Sequence, residues 1–236
     1  MDAIDLIAAR QRGVTVANTP GIPTEAVAEL ALAMFLALSR NLRLQSNLMQ
    51  ARRWERITGH LLDSRTVGLI GLGRIGQRVA QLCRAFNARV LAHDPVVDVA
   101  LARRLEVTLV SKEQLLRDAD IVSLHASRNA EHPVLIGAAE LAMMKRGAVL
   151  VNLARGEMVD EGALAEALSS GQLAGAGLDV FGTEPYQGPL CDFEQLILTP
   201  HSATLTVETR AAMELQCLEN ALQFLAGNLP GERRVI

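Results

Sequence analysis

The 236-residue sequence has only three cysteines, Cys83, Cys191 and Cys217. Their number is odd and their spacing does not fit a metal site, so we expect neither a disulfide framework nor a bound metal. Cys83 falls in a helical apolar pattern, which indicates a buried thiol. Such cysteine usage is typical of a reducing compartment, and we expect a cytoplasmic protein.

The sequence also lacks a membrane-spanning stretch and a strong charge of either sign. The apolar run at residues 26–38 is too short to span a bilayer and contains Glu29. The first residues carry no basic segment, so we do not expect them to form a signal peptide. A formal net charge of −3 gives no electrostatic reason for a nucleic-acid partner. We therefore expect a soluble protein without membrane or nucleic-acid partners.

Half of the residues are apolar, which is enough for a sizeable core. Short runs rich in Val, Ile and Leu alternate with helical patterns, as in an open parallel sheet covered by helices on both faces. The predicted fold class is therefore α/β, with a doubly wound parallel (Rossmann) sheet. The predicted strands are residues 66–70, 89–93, 107–110, 121–124, 148–152, 175–179 and 196–198.

Two predicted helices, at residues 23–39 and 207–226, flank the sheet segment. The first is apolar on almost every face, so it must be buried on all sides or covered by a second subunit. The connection at residues 41–62 contains the only tryptophan, Trp54. It is either a solvated connection or an interface arm. We expect a homodimer built on this region.

Residues 67–76 read Val-Gly-Leu-Ile-Gly-Leu-Gly-Arg-Ile-Gly, between a predicted strand and a predicted helix. Gly71 permits the tight turn, Gly73 lets a pyrophosphate approach the backbone, and Gly76 lets helix and strand pack closely. The phosphates would meet N–H groups at the positive end of the helix. The plain alternative is a glycine turn without a ligand.

Asp94 ends the second predicted strand, in the sequence Ala-His-Asp-Pro. A carboxylate at this position accepts hydrogen bonds from ribose hydroxyls and repels a 2′-phosphate, which favours NAD over NADP. The plain alternative is a surface turn residue before Pro95.

Residues 123–127, Ser-Leu-His-Ala-Ser, end the fourth predicted strand. Loops at the carboxyl edge of a parallel sheet line its ligand crevice. His125, Ala126 and Ser127 are therefore candidate cofactor contacts, although a lone histidine is more often structural.

Three further stretches follow the fifth, sixth and seventh strands. They read Asn-Leu-Ala-Arg-Gly at 152–156, Gly-Leu-Asp-Val-Phe-Gly-Thr-Glu-Pro at 177–185, and Thr-Pro-His at 199–201. Together with the glycine motif, they resemble in order and spacing the signatures of the D-isomer-specific 2-hydroxyacid dehydrogenases, phosphoglycerate dehydrogenase-like members above all. The resemblance covers nearly the whole chain.

The resemblance implies an NAD-dependent oxidoreductase that transfers a hydride between NAD(H) and a small D-2-hydroxy or 2-keto acid. It implies that Arg155 holds the substrate's carboxylate and keto oxygen, and that His201 exchanges a proton with the substrate oxygen. Glu184 is implied to pair with His201 and orient its ring. Taken singly, these three could instead be a surface arginine, a loop carboxylate and a loop histidine.

Asp179 is implied to hold the nicotinamide carboxamide. The full set of predicted cofactor contacts is Gly71, Gly73, Arg74, Ile75, Gly76, Asp94, His125, Ala126, Ser127, Leu153, Ala154, Arg155, Asp179 and His201.

The chain departs from the family pattern in two loops and at its start. Residues 126–133, Ala-Ser-Arg-Asn-Ala-Glu-His-Pro, replace a loop that usually holds small polar residues and proline, and residues 202–205 contain no glycine. Family members begin with a substrate domain, of which residues 1–20 match only the end. We expect residues 1–20 to be a remnant of that domain, 21–205 to be the NAD-binding domain, and 206–236 to be a C-terminal helix that in the family returns to the substrate domain.

Two other functions are compatible with these patterns. One is an NAD-binding dimerisation module with little turnover, since the substrate domain is missing. The other is a different Rossmann enzyme, such as a hydrolase that retains NAD, which Arg155, Glu184 and His201 together disfavour.

Overall fold

The computed structural model describes residues 4–127 and 133–236. Residues 1–3 of the predicted remnant and residues 128–132 of the loop after His125 lie outside the described residues. The chain divides into two compact units, one formed by Val27–Ala203 and the other by Met1–Ala26 with Thr204–Ile236.

The larger unit is built on a parallel sheet of seven strands in the spatial order β3-β2-β1-β4-β5-β6-β7. The chain moves outward from β1 to β3 and then returns to the other side of β1, so the order reverses between β1 and β4. This confirms the predicted doubly wound fold. The strands are β1 Thr66–Ile70, β2 Arg89–His93, β3 Thr108–Leu109, β4 Ile121–Leu124, β5 Ala148–Asn152, β6 Leu173–Leu178 and β7 Leu196–Leu198.

Nine α-helices are found in the described residues. They are α1 Leu6–Gln11, α2 Thr24–Ser39, α3 Leu42–Gln50, α4 Arg74–Ala85, α5 Val99–Arg104, α6 Lys112–Asp118, α7 Ala138–Met143, α8 Glu161–Ser169 and α9 Val207–Leu225. None of the helices within residues 4–127 and 133–236 is both long enough and apolar enough to cross a membrane.

Both faces of the sheet are buried, each under its own apolar cluster. Val67 and Leu69 of β1 belong to the cluster that contains Phe35 of α2 and Val79 of α4. Ile70 belongs to the opposite cluster, with residues of α6, α7 and α8. Because successive side chains of one strand enter different cores, the strands read as continuous apolar runs.

Two strands differ from their predicted bounds. The edge strand β3 is two residues long and pairs only with β2, through Leu91–Thr108 and Ala92–Leu109. β6 begins at Leu173, two residues before its predicted start, and ends one residue earlier. Its alternating Gly and Ala residues hide it from a search for β-branched runs.

Helix α2 is buried on most of its surface and exposed to solvent on the rest. Ala28, Ala31 and Phe35 are fully buried, whereas Glu29 and Ala33 are exposed. The leucines between them are partly buried against the same core. The expectation that this helix is buried on every side within the chain is therefore wrong, because it has one solvated stripe. The alternative, that a second subunit covers the helix, stays a prediction.

Residues 41–62, which we call the arm, contain the unpredicted helix α3. Four large apolar side chains of the arm are exposed, namely Leu42, Met49, Trp54 and Leu61. Trp54 is the most open of them, at 77% of its full exposure. The arm thus presents apolar surface that the described part of this chain does not cover.

The smaller unit joins the segment before α2 to the C-terminal segment. An antiparallel bridge links Ala17 and Arg234, and the buried Asn220 side chain donates a hydrogen bond to the Asn18 carbonyl at 2.9 Å. Helix α9 presents four exposed leucines, namely Leu215, Leu218, Leu222 and Leu225.

Candidate cofactor site and active site

The carboxyl ends of five strands align at one edge of the sheet. The register pairs Ile70 with Leu124, Leu124 with Asn152, Asn152 with Leu178, and Leu178 with Leu198. The segments that follow β1, β4, β5, β6 and β7 therefore leave the sheet side by side. These are the segments that carry most of the predicted site residues.

The three motif glycines stand in different surroundings. Gly71 has a φ of 99°, and a Cβ there would lie 2.6 Å from the Ala126 nitrogen. A Cβ on Gly76 would lie 2.3 Å from the Gly71 oxygen, whereas one on Gly73 would meet nothing within 4 Å. Gly71 and Gly76 are thus needed for the fold itself, while Gly73 borders open space.

The start of α4 fits a diphosphate. Its N-cap is Gly73, which offers no side chain to the first N–H groups, and its first turn contains no acidic residue. Unsatisfied N–H groups at a positive helix end attract anions. Arg74 is exposed and Ile75 is partly buried at the same end. The chemistry of this turn therefore suits the pyrophosphate of NAD.

Asp94 is tied to the glycine motif. Its Oδ2 accepts a hydrogen bond from the Leu72 N–H at 2.7 Å, and its Oδ1 accepts one from the Val96 N–H at 2.9 Å. An ionised carboxylate offers about four acceptor positions, so capacity remains on each oxygen. That remaining capacity is what a pair of ribose hydroxyls requires.

His125 is anchored to the sheet by both its backbone and its ring. Its N–H donates to the Ile70 carbonyl at 2.8 Å, and its Nε2 lies 2.9 Å from the Oγ of the buried Ser123. Burial of the ring lowers the pKa of His125 to about 4, so the side chain is neutral near pH 7. Backbone atoms of His125 and Ala126 border Gly71, and the Cβ of His125 borders Gly76. Ser127 beyond them is exposed.

His201 and Glu184 form an ion pair between two neighbouring loops. The Nδ1 of His201 lies 2.8 Å from the Oε2 of Glu184, and the other carboxylate oxygen accepts the Phe181 N–H at 3.1 Å. Partial burial raises the pKa of Glu184, but the hydrogen bonds from His201 and Phe181, with the charges of His201 and Arg155, lower it overall. Glu184 is therefore ionised and oriented toward the histidine.

Asp179 shapes the loop that presents His201. Its backbone oxygen accepts the His201 N–H at 2.8 Å, and its carboxylate accepts Thr199 Oγ1 at 2.6 Å, the Ser202 N–H at 2.8 Å and the Ala203 N–H at 2.9 Å. Asp179 is only 1% exposed. These bonds hold His201 at its positive φ of 51°.

Thr199, Ser202 and Ala203, which donate to the Asp179 carboxylate, were not predicted from the sequence to do so. In the segment 202–205, which lacks glycine, the N–H groups of Ser202 and Ala203 both point at Asp179.

The segment with Arg155 is held by Asn152, a buried residue that we had not singled out. Its side chain donates to the Arg155 carbonyl at 2.8 Å and accepts the Ala154 N–H at 3.0 Å. Arg155 donates from Nη1 to the Ala154 carbonyl at 2.6 Å, and its charge acts on Glu184. Leu153 is buried. The structure thus brings Arg155, Glu184 and His201 into one electrostatic group.

A cavity of about 530 Å³ adjoins the His201–Glu184 pair. Its walls are mainly apolar, and Phe181 and Tyr186 stack within it with ring centroids 4.4 Å apart. In the described portions of the chain, no three side chains of His, Cys, Asp or Glu form a group suited to a metal ion.

Residues 32–203 match the family described as D-isomer specific 2-hydroxyacid dehydrogenase, NAD binding domain. The chain is 38% identical over 237 residues to a glyoxylate reductase of Korarchaeum cryptofilum, covering 97% of this chain and 71% of that protein. It is 41% identical over 230 residues to a D-3-phosphoglycerate dehydrogenase of Mycobacterium bovis, covering 96% of this chain and 44% of that one.

Among solved structures, a glyoxylate reductase from Paecilomyes thermophila superposes with a TM-score of 0.91 at 35% identity, covering 99% of this chain and 72% of that one.

Proposed function

Because the chain belongs to the D-isomer specific 2-hydroxyacid dehydrogenase family, we propose that Arg155, Glu184 and His201 are its catalytic residues. The predicted family and the predicted cofactor, NAD, are both confirmed. Members of this family are NAD-dependent oxidoreductases, and the chain belongs to those that transfer a hydride between NAD(H) and a small 2-hydroxy or 2-keto acid.

The observation that carries the proposal is the 2.8 Å pair between His201 Nδ1 and Glu184 Oε2. A carboxylate on Nδ1 requires a proton on that nitrogen, so Nε2 is the atom that exchanges a proton with the substrate oxygen. Bound NAD accepts or supplies the hydride. Glu184 stabilises the protonated ring, and the loop geometry imposed by Asp179 fixes where that ring lies.

Arg155 suits the substrate's carboxylate and keto oxygen, because a planar guanidinium can bind two oxygens at once. Its charge acts on Glu184, which supports a place for it beside the pair. The remaining roles proposed for NAD are those suggested by the sequence. The glycine motif and α4 hold the pyrophosphate, Asp94 holds the ribose, and Asp179 holds the carboxamide. Asp179 Oδ2 accepts only the Ala203 N–H among the described contacts, which leaves acceptor capacity for an amide.

Removing His201 tests the catalytic proposal. We expect His201→Ala to lower kcat for a 2-keto acid by roughly 10²–10⁴-fold, the usual effect of losing a general acid or base. NADH affinity should be nearly unchanged, because the histidine serves proton transfer. Steady-state NADH oxidation and calorimetric titration of NADH measure the two quantities on the same preparation. Near-normal kcat in the variant would remove His201 from the mechanism.

We also propose that the chain forms a homodimer through the arm. The supporting observation is the exposure of Leu42, Met49, Trp54 and Leu61 on one segment. A twofold axis would bring the same apolar segment of two subunits together. Trp54→Asp should yield a monomer by light scattering at micromolar concentration, while Val207→Asp, a control at an exposed site on α9, should not. A monomeric mass for the unaltered chain would contradict this proposal.

The predicted NAD-binding domain at 21–205 is proposed on the basis of the compact unit Val27–Ala203. As part of the same proposal, residues 1–20 are a remnant of the substrate domain, and residues 206–236 form the C-terminal helix that in the family returns to that domain. A cytoplasmic location is likewise proposed from the sequence, and cell fractionation tests it.

A further inference from the structure

Glu184 lies on a short loop, Phe181–Tyr186, that we call the glutamate loop. The pair with His201 is open to water, with 55% of the His201 side chain and 37% of the Glu184 side chain exposed. An exposed ion pair by itself contributes little and holds two side chains poorly. The alignment of Glu184 with His201 therefore depends on what fixes the glutamate loop.

Glu161, the first residue of α8, binds the glutamate loop two residues before Glu184. Its Oε1 accepts the Gly182 N–H at 2.8 Å. Its charge also acts on the far end of the loop: burial raises the pKa of the Tyr186 hydroxyl and the negative charge of Glu161 raises it further, against the lowering effect of the Leu190 N–H. Glu161 thus fixes the part of the loop that leads into Glu184.

The helix that carries Glu161 is a rigid support. Asp160 caps it by accepting the Ala163 N–H at 3.0 Å, and Leu164 and Leu168 are buried in the core beneath the sheet. The glutamate loop is also closed on itself, because the Tyr186 ring stacks on Phe181. A carboxylate early in a helix already interacts favourably with the helix dipole. That effect alone would not require it to accept the Gly182 N–H.

We propose that Glu161 is a positioning residue that holds Glu184 in line with His201. This role rests on the proposed function of that pair. Without Glu161, the Gly182 N–H loses its acceptor, and the glutamate loop spends more time with Glu184 away from the histidine.

The direction in which the pKa of Glu184 changes when Glu161 is removed distinguishes a positioning role of Glu161 from a purely electrostatic one. The hydrogen bond from His201 is the largest influence that lowers the pKa of Glu184, so loosening that bond raises this pKa. Removing a nearby negative charge acts in the opposite direction, because it makes ionisation of Glu184 easier. Glu161→Ala should therefore raise the pKa of Glu184 if positioning dominates and lower it if charge dominates.

The experiment is a pH titration of the Glu184 carboxyl carbon by ¹³C NMR, assigned by its loss in Glu184→Gln. We expect a higher pKa in Glu161→Ala than in the unaltered chain, and a still higher one in His201→Ala. Glu161→Gln keeps an oxygen for the Gly182 N–H and should recover most of the loss. Glu161→Asp keeps the charge but shortens the reach to the Gly182 N–H, and should give a smaller rise. A fall of the pKa in Glu161→Ala, or no change, would overturn the proposal.

Turnover supplies an independent comparison. Glu161→Ala should lower kcat by roughly tenfold, less than the loss expected for removing the acid/base itself, with an unchanged KM for NADH. The titration needs no turnover, so a failure of the proposed function would appear in the His201→Ala kinetics and not in the NMR result. If Glu161→Ala does not fold, the same titration in Glu161→Asp decides, and an unchanged pKa there would reject the positioning role.

Discussion

Alanine at Gly73 and alanine at Gly76 should separate cofactor affinity from stability. A Cβ on Gly76 would lie 2.3 Å from the Gly71 oxygen, a backbone atom that cannot rotate away. A Cβ on Gly73 meets nothing within 4 Å, and its φ of −68° suits any residue. The two substitutions add the same methyl group three residues apart, one into packed backbone and the other into open space.

The expected magnitudes follow from these contacts. Forcing an extra methyl into a packed site costs about 1–3 kcal/mol, and replacing a helical glycine by alanine returns about 1 kcal/mol. For a clash with backbone we take a net loss of about 2 kcal/mol, which lowers Tm by roughly 4–8 °C in a chain of this size. Gly73→Ala changes only the N-cap and should move Tm by no more than about 2 °C.

Gly73→Ala, which should barely change stability, should instead weaken the binding of NADH. If the diphosphate approaches this backbone, the added methyl displaces it from charge-assisted hydrogen bonds that contribute about 1.5–3 kcal/mol each. NADH should then bind roughly 10–100-fold more weakly to Gly73→Ala. Differential scanning calorimetry gives Tm and isothermal titration gives the Kd. The reasoning fails if Gly73→Ala binds NADH normally, or if Gly76→Ala melts at the wild-type temperature.

Two further substitutions test the choice of cofactor and the pH dependence of stability. The chain should bind NADH more tightly than NADPH, and Asp94→Asn, which keeps an oxygen for the Leu72 N–H, should reduce that preference by roughly tenfold or more; equal affinities of the unaltered chain for the two cofactors would refute the role of Asp94. Because burial lowers the pKa of His125 from 6.5 to about 4, the unfolded chain takes up a proton that the folded chain does not between these values. The free energy of unfolding should therefore fall by up to about 3 kcal/mol as the pH drops from 6.5 to 4. In His125→Gln, the free energy of unfolding from urea titrations should depend less on pH.

Local patterns in the sequence were sufficient for the sheet and for the positions of the site segments. Strands buried on both faces are uninterrupted apolar runs, and the bounds predicted for β1, β2, β4, β5 and β7 agree with the structure. Parallel strands necessarily place their carboxyl ends at one edge, so the predicted catalytic residues could be grouped without coordinates. Helix α3, Leu-Arg-Leu-Gln-Ser-Asn-Leu-Met-Gln, was missed although its apolar and polar residues lie on different sides of the helix. The segment is polar on average and buries only Leu48, so it was interpreted as a connection.

The tertiary structure decided which groups hold the site residues in place. Nothing near Asp179 in the sequence marks it as the acceptor for the loop of His201 some twenty residues later. Likewise, the contact of Glu161 with Gly182 joins a helix start to a loop beyond the next strand. Periodicity reports which face of an element is apolar. It does not report partners that are distant in sequence, because such contacts exist only once the sheet has brought separate loops to one edge.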